Sequence, residues 1–542
     1  MDNLPEIEGD IFKEGGQIEE YSTDASLFKL KPDTVIFPKS SKDVQKIISH
    51  VANNDQKELS ITARAAGTCM SGGPLSESIV LGFTKYFDQF DIKDHSARVE
   101  PGVYYRDFEE ATKKKGMIMP SYPASKSLAA LGGMINNNAG GEKTLRYGKT
   151  NEYVKKMKMV LADGNEYTFE KLSADELEKK KQQDDFEGKI YRETHQLIKD
   201  NYELIKEAEP DVSKNSSGYA LWNVWSRDTG EFDLTQLFCG AQGTLGIMTE
   251  AEMKLVDTKK HSRLAALFLK DFDKLPEIVN DILPLDPESL ETFDDETLKL
   301  GLKFFPEIAK KVEGMNLPKL LWKFIPEFFI GVKMMGLPKL VVLVQFAEDS
   351  IEQIEEKFDQ LKQRLESYDI EKRILHSEEE GEKYFTIRRE SFNLLRKHVK
   401  GKRTAPFVDD FEVQPKHLPK VLPKIREIME EYDIHSTIAG HSGSGNFHII
   451  PLMDLTKKEN RDKIPEVSQK VYDIVLDHNG TITAEHNDGL IRTPYIEKMF
   501  GSEMYQLFKE VKNIFDPDNI FNPGKKVNGD LEYAMEHIDE EG

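Results

Sequence analysis

Three glycine-rich turns in the first half of the chain, each beside a strand-like run, constrain the fold more than any other feature. The first is TARAAGTCMSGGPL (62–75), small residues and hydroxyls following an apolar strand start. The second, within PSYPASKSLAALGGMINNNAGGEKTLRYGKTNEYV (120–154), carries paired glycines at 132–133 and 140–141 with asparagines between them. The third, FCGAQGTLGIMTEAEMKLV (238–256), spaces Gly240, Gly243 and Gly246 evenly before another strand-like run. Without Cβ atoms, backbone N–H groups can close on phosphate oxygens. No Gly-Lys-Ser/Thr ends the first loop and no GxGxxG opens a helix, so neither the P-loop nor the Rossmann fingerprint is present. The pattern calls for a different dinucleotide site.

The second constraint is a cluster of ligating side chains. GHSGSGNFHI (440–449) sets His441 and His448 around a turn with Gly443 and Gly445, and TAEHNDG (483–489) sets Glu485 beside His486. Either histidine alone reads as a hydrogen-bonded core residue. Two imidazoles with one carboxylate suit Zn²⁺, Mn²⁺ or Fe²⁺ with a coordination position left open, and do not choose among them.

Periodicity divides the chain. From residue 34, short apolar runs alternate with helical periods, which predicts an α+β or α/β fold. The charged stretch 172–207 reads as a solvated surface helix or pair. Composition changes near residue 257, after which RLAALFLKDF, KLVVLVQFAED and APFVDDFEV read as strands, with amphipathic helices between them. A second domain follows, an antiparallel sheet covered by helices. LPKLLWKFIPEFFIGVKMMGLPKL (317–340) reads as a buried or subunit-facing hairpin, the latter implying a homodimer. The sharper alternative is peripheral membrane contact; proline, glycine and Glu327 exclude a spanning helix.

Composition removes several function classes. Among 542 residues the formal charge is −22, which speaks against nucleic acid as a partner. The two cysteines, Cys69 and Cys239, cannot hold an iron–sulfur cluster or a disulfide framework. The start lacks signal-peptide character, so the expected location is cytoplasmic, at the inner face of the membrane if 317–340 contacts lipid.

These segments, together with YSTDAS (21–26), AEHNDGL (484–490) and FDPDNIFNPGK (515–525), resemble a known family over nearly the whole chain. It is the FAD-linked D-2-hydroxyacid dehydrogenase branch of the vanillyl-alcohol oxidase and p-cresol methylhydroxylase (PCMH) superfamily, with D-lactate and D-2-hydroxyglutarate dehydrogenases and the FAD subunit of glycolate oxidase. The resemblance implies an α+β fold: a PCMH-type FAD-binding domain over 1–256, a substrate cap domain over 257–480 of the FAD-linked oxidase C-terminal type, and a segment, 481–542, returning to the FAD site. It implies that Arg64, Ala66, Gly67, Thr68, Ser71, Gly72, Pro123, Gly132, Gly133, Asn138 and Gly140 wrap the pyrophosphate. Gly243, Thr244, Gly246 and Ile247 would reach the adenosine and flavin side through backbone contacts, and Asn522 would close over the ring. His441, His448 and Glu485 match the family's metal ligands, His486 its base and Arg388 its carboxylate-binding arginine, with Arg389 a competitor for that role. Asp410 would lie near the flavin or hold a basic side chain, and Lys402 and Arg403 are further carboxylate contacts. The sequence departs from the pattern at Cys69, Phe385, Ser444 and Asn487. The implied activity is oxidation of a small D-2-hydroxyacid, D-lactate first, with glycolate, D-2-hydroxyglutarate or a bulkier alcohol as alternatives. A separate electron acceptor is also implied: quinone, an electron-transfer protein or oxygen.

Overall fold

The structure is a computed structural model describing residues 4–54, 59–303, 336–375, 377, 380–381, 384–385 and 401–541. Arg388, Arg389 and the 317–335 part of the apolar stretch lie outside the described residues. The architecture is mixed α+β, as expected, with a separate sheet under each part of the site.

The first sheet has the order Asp10–Phe12, Thr34–Phe37, Ile79–Gly82, Ile61–Arg64, and its last three strands are parallel. Helix Ser41–Ala52 covers it with Val44, Ile47, Ile48 and Val51, apolar positions at helical spacing that are all buried. The first glycine-rich loop thus leaves the C-terminal end of a parallel strand. An antiparallel five-stranded sheet follows, ordered Phe90–Lys93, Ser96–Val99, Ile247–Lys254, Val154–Val160, Glu166–Glu170. Its central strand emerges directly from the third glycine turn. Val160 and Ile247 from this sheet share one core with Ile36, Ile61 and Leu81 of the first. That shared core brings the glycine loops of both sheets together.

The third sheet is antiparallel, with the order Glu371–Ile374, His261–Leu269, Leu340–Glu348, Ser289–Asp294, His435–His441, Asn446–Met453, Arg403–Thr404; Phe411–Glu412 also pairs with Asn446–Met453. Helices Ile351–Arg364, Leu418–Glu431 and Lys463–Leu476 pack on it through the apolar faces that the periodicity predicts. His435–His441 and Asn446–Met453 form a hairpin in which Ala439 faces His448 and His441 faces Asn446. Directly opposed residues share a face, and so do residues two apart on one strand. His441 and His448 therefore stand on the same face, diagonal to one another, with ring centroids 5.4 Å apart.

Two sequence expectations are corrected. The run 405–415 forms a strand only at Phe411–Glu412, because the side chains and backbone before it turn toward residues 483–492 instead of a ladder. The charged stretch 172–207 forms three helices, Ala174–Lys181, Phe186–Asp200 and Tyr202–Glu207, and is not merely a solvated face. Ile190, Tyr191, Leu197 and Ile198 are buried in the core of the five-stranded sheet. Among the described residues, no helix is long and apolar enough to cross a membrane.

Candidate active site

The site forms where the glycine loops meet the histidine hairpin and the 481–492 segment. At Gly133 the nearest atom to an added Cβ, beyond its chain neighbours, would be the Ala65 Cβ at 3.6 Å; at Gly243 it would be the Ala63 Cβ at 3.7 Å. Both positions leave room for an approaching ligand, with no other atom within 4 Å of an added Cβ, and Gly243 also has φ +69°, a region that L side chains rarely adopt. This is a cradle that side chains would fill, and it suits a flat cofactor lying close to backbone.

Other residues of the glycine motifs hold the loops together. Gly132 packs against Pro101, and Gly140 lies against Glu485, whose Oε1 would be 3.0 Å from an added Cβ. Gly67, Gly72 and Gly246 take positive φ where Arg64, Phe28 and Leu161 approach, respectively. Asn138, at φ +46°, accepts the Asn151 N–H through its side chain. Ala66, Thr68 and Pro123 line the partly exposed rim, while Ile247 is fully buried at the start of its strand. Ser71 donates to the His486 carbonyl at 3.2 Å and accepts the Leu490 N–H through its own carbonyl, joining the first loop to the 481–492 segment. Asn522 donates to the carbonyls of Gly73 and Gln242 and accepts from Thr62, so it clamps the first and third loops.

Several of these side chains have partners within the protein. Arg64 stacks on Tyr21 and donates to the Tyr21 carbonyl at 3.2 Å, directed at backbone. Thr244 spends its hydroxyl on the Ala241 carbonyl and Tyr219. Arg403 pairs with Asp539 at 2.9 Å, a contact between the cap sheet and the C-terminal segment, and Lys402 is exposed. Cys69 is partly exposed, 3.2 Å from the Ser71 hydroxyl.

The polar half is denser. His441 Nε2 and His448 Nε2 lie 3.5 and 3.9 Å from Glu485 Oε2. Each ring is oriented from behind: His441 Nδ1 donates to Glu291 at 2.6 Å and His448 Nδ1 to the Asp409 carbonyl at 3.2 Å. Glu485 Oε1 accepts from the fully buried Lys214 at 2.6 Å. Burial opposes ionisation of Glu485, but Lys214 and His441 outweigh it and hold the carboxyl well below its ordinary range.

A second grouping, Asp410 with His448 and His486, also comes within ligating range. Asp410 is committed, however. Its Oδ2 accepts from the Thr483 hydroxyl and the N–H groups of Ala484, Glu485 and His486, all within 2.9 Å, while Oδ1 accepts from Asn446. It holds the backbone of 484–486 and has little left for a cation. His486 stacks on His448 at 4.9 Å and donates through Nδ1 to Asp409 at 2.5 Å. Burial would strip its proton, yet Asp409 and Asp410 push its pKa up to about 9. Burial and the neighbouring His486 push His448 down to about 4.

The charge pattern itself tests for a metal. Four buried carboxyl groups, Glu291, Asp409, Asp410 and Glu485, face two cations, Lys214 and Arg492. Burial drives Lys149 down and Glu412 up to about 7, so these two add little net charge. Two imidazoles with a carboxylate in such a carboxyl-rich pocket form a donor set that suits a divalent ion. The neighbouring carboxylates raise the pKa values of His441 and His486 against the effect of burial.

Glu291, Lys214, Lys149, Asp409 and Arg492 escaped the sequence reading. The available signals were an acid inside the strand SLETFD, a lysine within the hydroxyl-rich SKNSSGY, and tandem aspartates in an apolar run.

Comparison with known proteins fits this geometry. Residues 32–170 match the FAD binding domain model, and residues 258–526 match the model of the FAD linked oxidases, C-terminal domain. The chain belongs to the FAD-linked oxidase family. Within that family it is 28% identical over 530 residues to D-2-hydroxyglutarate dehydrogenase of Pantoea ananatis, covering 96% of this chain and 50% of the relative. It is 26% identical to D-lactate dehydrogenase of Archaeoglobus fulgidus, covering 91% of each. The chain spans about half the length of the first curated relatives it matches. Among solved structures, 4-ethylphenol oxidase from Gulosibacter chungangensis superimposes with a TM-score of 0.66 at 16% identity, covering 96% of this chain and 95% of that one, which shows the shared fold.

Proposed function

We propose that the chain is an FAD-dependent dehydrogenase that oxidises a small D-2-hydroxyacid to the 2-oxoacid, with D-lactate, D-2-hydroxyglutarate and glycolate as the acids to compare. The observation that carries this reading is the convergence of His441, His448 and Glu485 with an oriented His486, on a segment that Ser71 and Gly140 tie to the glycine cradle.

Gly133, Gly243 and the loops clamped by Asn522 would hold the cofactor. Bound FAD would supply a two-electron acceptor for the hydrogen leaving C2 with its electron pair. His441, His448 and Glu485 would hold a divalent ion, Zn²⁺, Mn²⁺ or Fe²⁺, supplying Lewis-acid polarisation of the hydroxyl oxygen. His486 takes the hydroxyl proton on Nε2, the nitrogen left by its Nδ1–H···Asp409 bond. Two positive charges close to His486 would also lower its pKa from about 9, making it a competent base near neutrality. Arg388 would clamp the substrate carboxylate with its planar fork. The reduced flavin would then pass its electrons on to an acceptor, with quinone, an electron-transfer protein and oxygen as the ones to compare.

Anaerobic mixing of the FAD-loaded protein with each acid, before and after chelation, tests the reading. Bleaching of the flavin by a D-2-hydroxyacid, abolished by the chelator, is expected. A bound flavin that no acid reduces would remove this substrate class.

A further inference from the structure

Asp409 and Asp410 are adjacent and both fully buried, yet they hold different partners. Asp410 takes backbone amides, as described above. Asp409 reaches one side chain with each oxygen: Oδ2 accepts from His486 Nδ1 at 2.5 Å, and Oδ1 is ion-paired with Arg492. Arg492 is itself fully buried and donates a further hydrogen bond to the Asn487 carbonyl at 3.1 Å. It closes the short helix Gly489–Arg492, which begins three positions after His486 in the chain. His486 and Arg492 are therefore pinned to one carboxylate delivered from a different part of the sequence.

We propose that Asp409 and Arg492 are positioning residues for His486, fixing its tautomer and ring orientation so that Nε2 faces the substrate hydroxyl; this rests on the dehydrogenase reading above. Three observations carry it. The imidazole plane is set twice, by the Nδ1–H···Asp409 bond and by stacking on His448 at an interplanar angle of 14°. With Nδ1 donating to a carboxylate, the neutral imidazole carries its lone pair on Nε2. A fully buried ion pair is also a poor device for stability alone, since apolar residues of similar volume usually serve that end as well or better.

In the step served, the substrate O–H bond breaks and an Nε2–H bond forms. Bound FAD would accept the C2 hydrogen together with its electron pair, leaving the C2=O of the 2-oxoacid. The new positive charge on the imidazole develops beside Asp409, while Arg492 keeps that carboxylate from swinging away.

The test is rapid-mixing flavin reduction by the acid that bleaches the wild type, with FAD and metal content measured on every variant. Asp409→Asn should slow the limiting reduction rate about 10²–10³-fold, a loss within the range for general acid–base catalysis, with the apparent substrate Kd changed less than about threefold. Asp409→Glu should recover to within about tenfold of the wild type, and Asp409→Asn added to His486→Ala should cause no further loss. A purely structural role predicts the opposite: losses that add to His486→Ala, or Glu no better than Asn, and either result overturns the proposal. Should Asp409→Asn not fold, Arg492→Lys is read in its place; about a tenfold slower reduction supports the proposal and an unchanged rate overturns it. If the FAD-loaded wild type is reduced by no hydroxyacid, the dehydrogenase reading fails first and takes this inference with it.

Discussion

The two halves of the site are built on opposite principles. On the side proposed to hold the flavin, Gly133 and Gly243 leave space, with one alanine Cβ near each, and side chains such as Asn522 tie loops together. On the histidine side the arrangement is crowded: carboxylates, ammonium, guanidinium and imidazoles are buried together and paired with one another. A cradle tolerates imprecise neighbours, because backbone shape does most of the positioning. A buried cluster of charges does not, since removing one member leaves another uncompensated. The comparison therefore predicts sharp losses from single changes in the polar half and graded losses in the cradle.

The largest effect should come from His486→Ala, which removes the proposed proton acceptor and should slow flavin reduction by about 10³-fold or more while FAD stays bound. Rapid mixing together with the protein's flavin absorbance checks both parts, and near-normal reduction would assign the base elsewhere. Next, Glu291→Gln takes the carboxylate from behind His441 without touching the ligand set. Metal affinity should fall about 10–100-fold, read by competition with a chromophoric chelator on the FAD-loaded protein. An unchanged affinity would break the claim that this half works through mutual orientation.

In the cradle, Gly243→Val fills the open space and forces a branched side chain to φ +69°. Its FAD content as purified should drop several-fold, with the metal ligands intact, and full occupancy would place the cofactor elsewhere. Arg388→Ala should act on substrate binding first, raising KM about tenfold or more with a smaller change in kcat. Equal loss in both would mean that the arginine acts in the transition state.

The smallest effect is on stability. Asp24, on the flavin side, has a buried carboxyl whose ionisation burial pushes up from 3.8 to about 6, against the bonds from Ser26. Between those values the native chain holds a proton that the unfolded chain has released. The group's contribution to stability is thus fully present below the lower value and lost as pH rises through the higher one. Asp24→Asn keeps an oxygen for Ser26 and should flatten this slope, as denaturant titrations at about pH 4 and about pH 7 would show. A slope unchanged by the substitution would mean that the carboxyl is already solvated.

Legibility in the sequence follows the same division. Glycine turns are local, so the three loops, the parallel strand carrying the first of them and the amphipathic helices 41–52, 351–364 and 418–431 could be read from a few residues each. His441 and His448 were legible as a pair because one hairpin holds both. The tandem aspartates were visible but misread: APFVDDFEV looked like a strand, whereas Asp409 and Asp410 serve segments more than seventy residues away in the chain.

By itself the sequence determined many of the elements, the glycine loops and the pairing of His441 with His448 on one hairpin, because these depend on backbone freedom and on periodicity within a few residues. Only the tertiary structure decided that Glu291 stands behind His441, that Lys214 caps Glu485, and that Asp409 joins His486 to Arg492. These pairings are set by strand register and by the approach of distant segments in a low-dielectric interior. There the strength of an ionic contact depends on burial and distance, and neither is written in the spacing of residues along the chain.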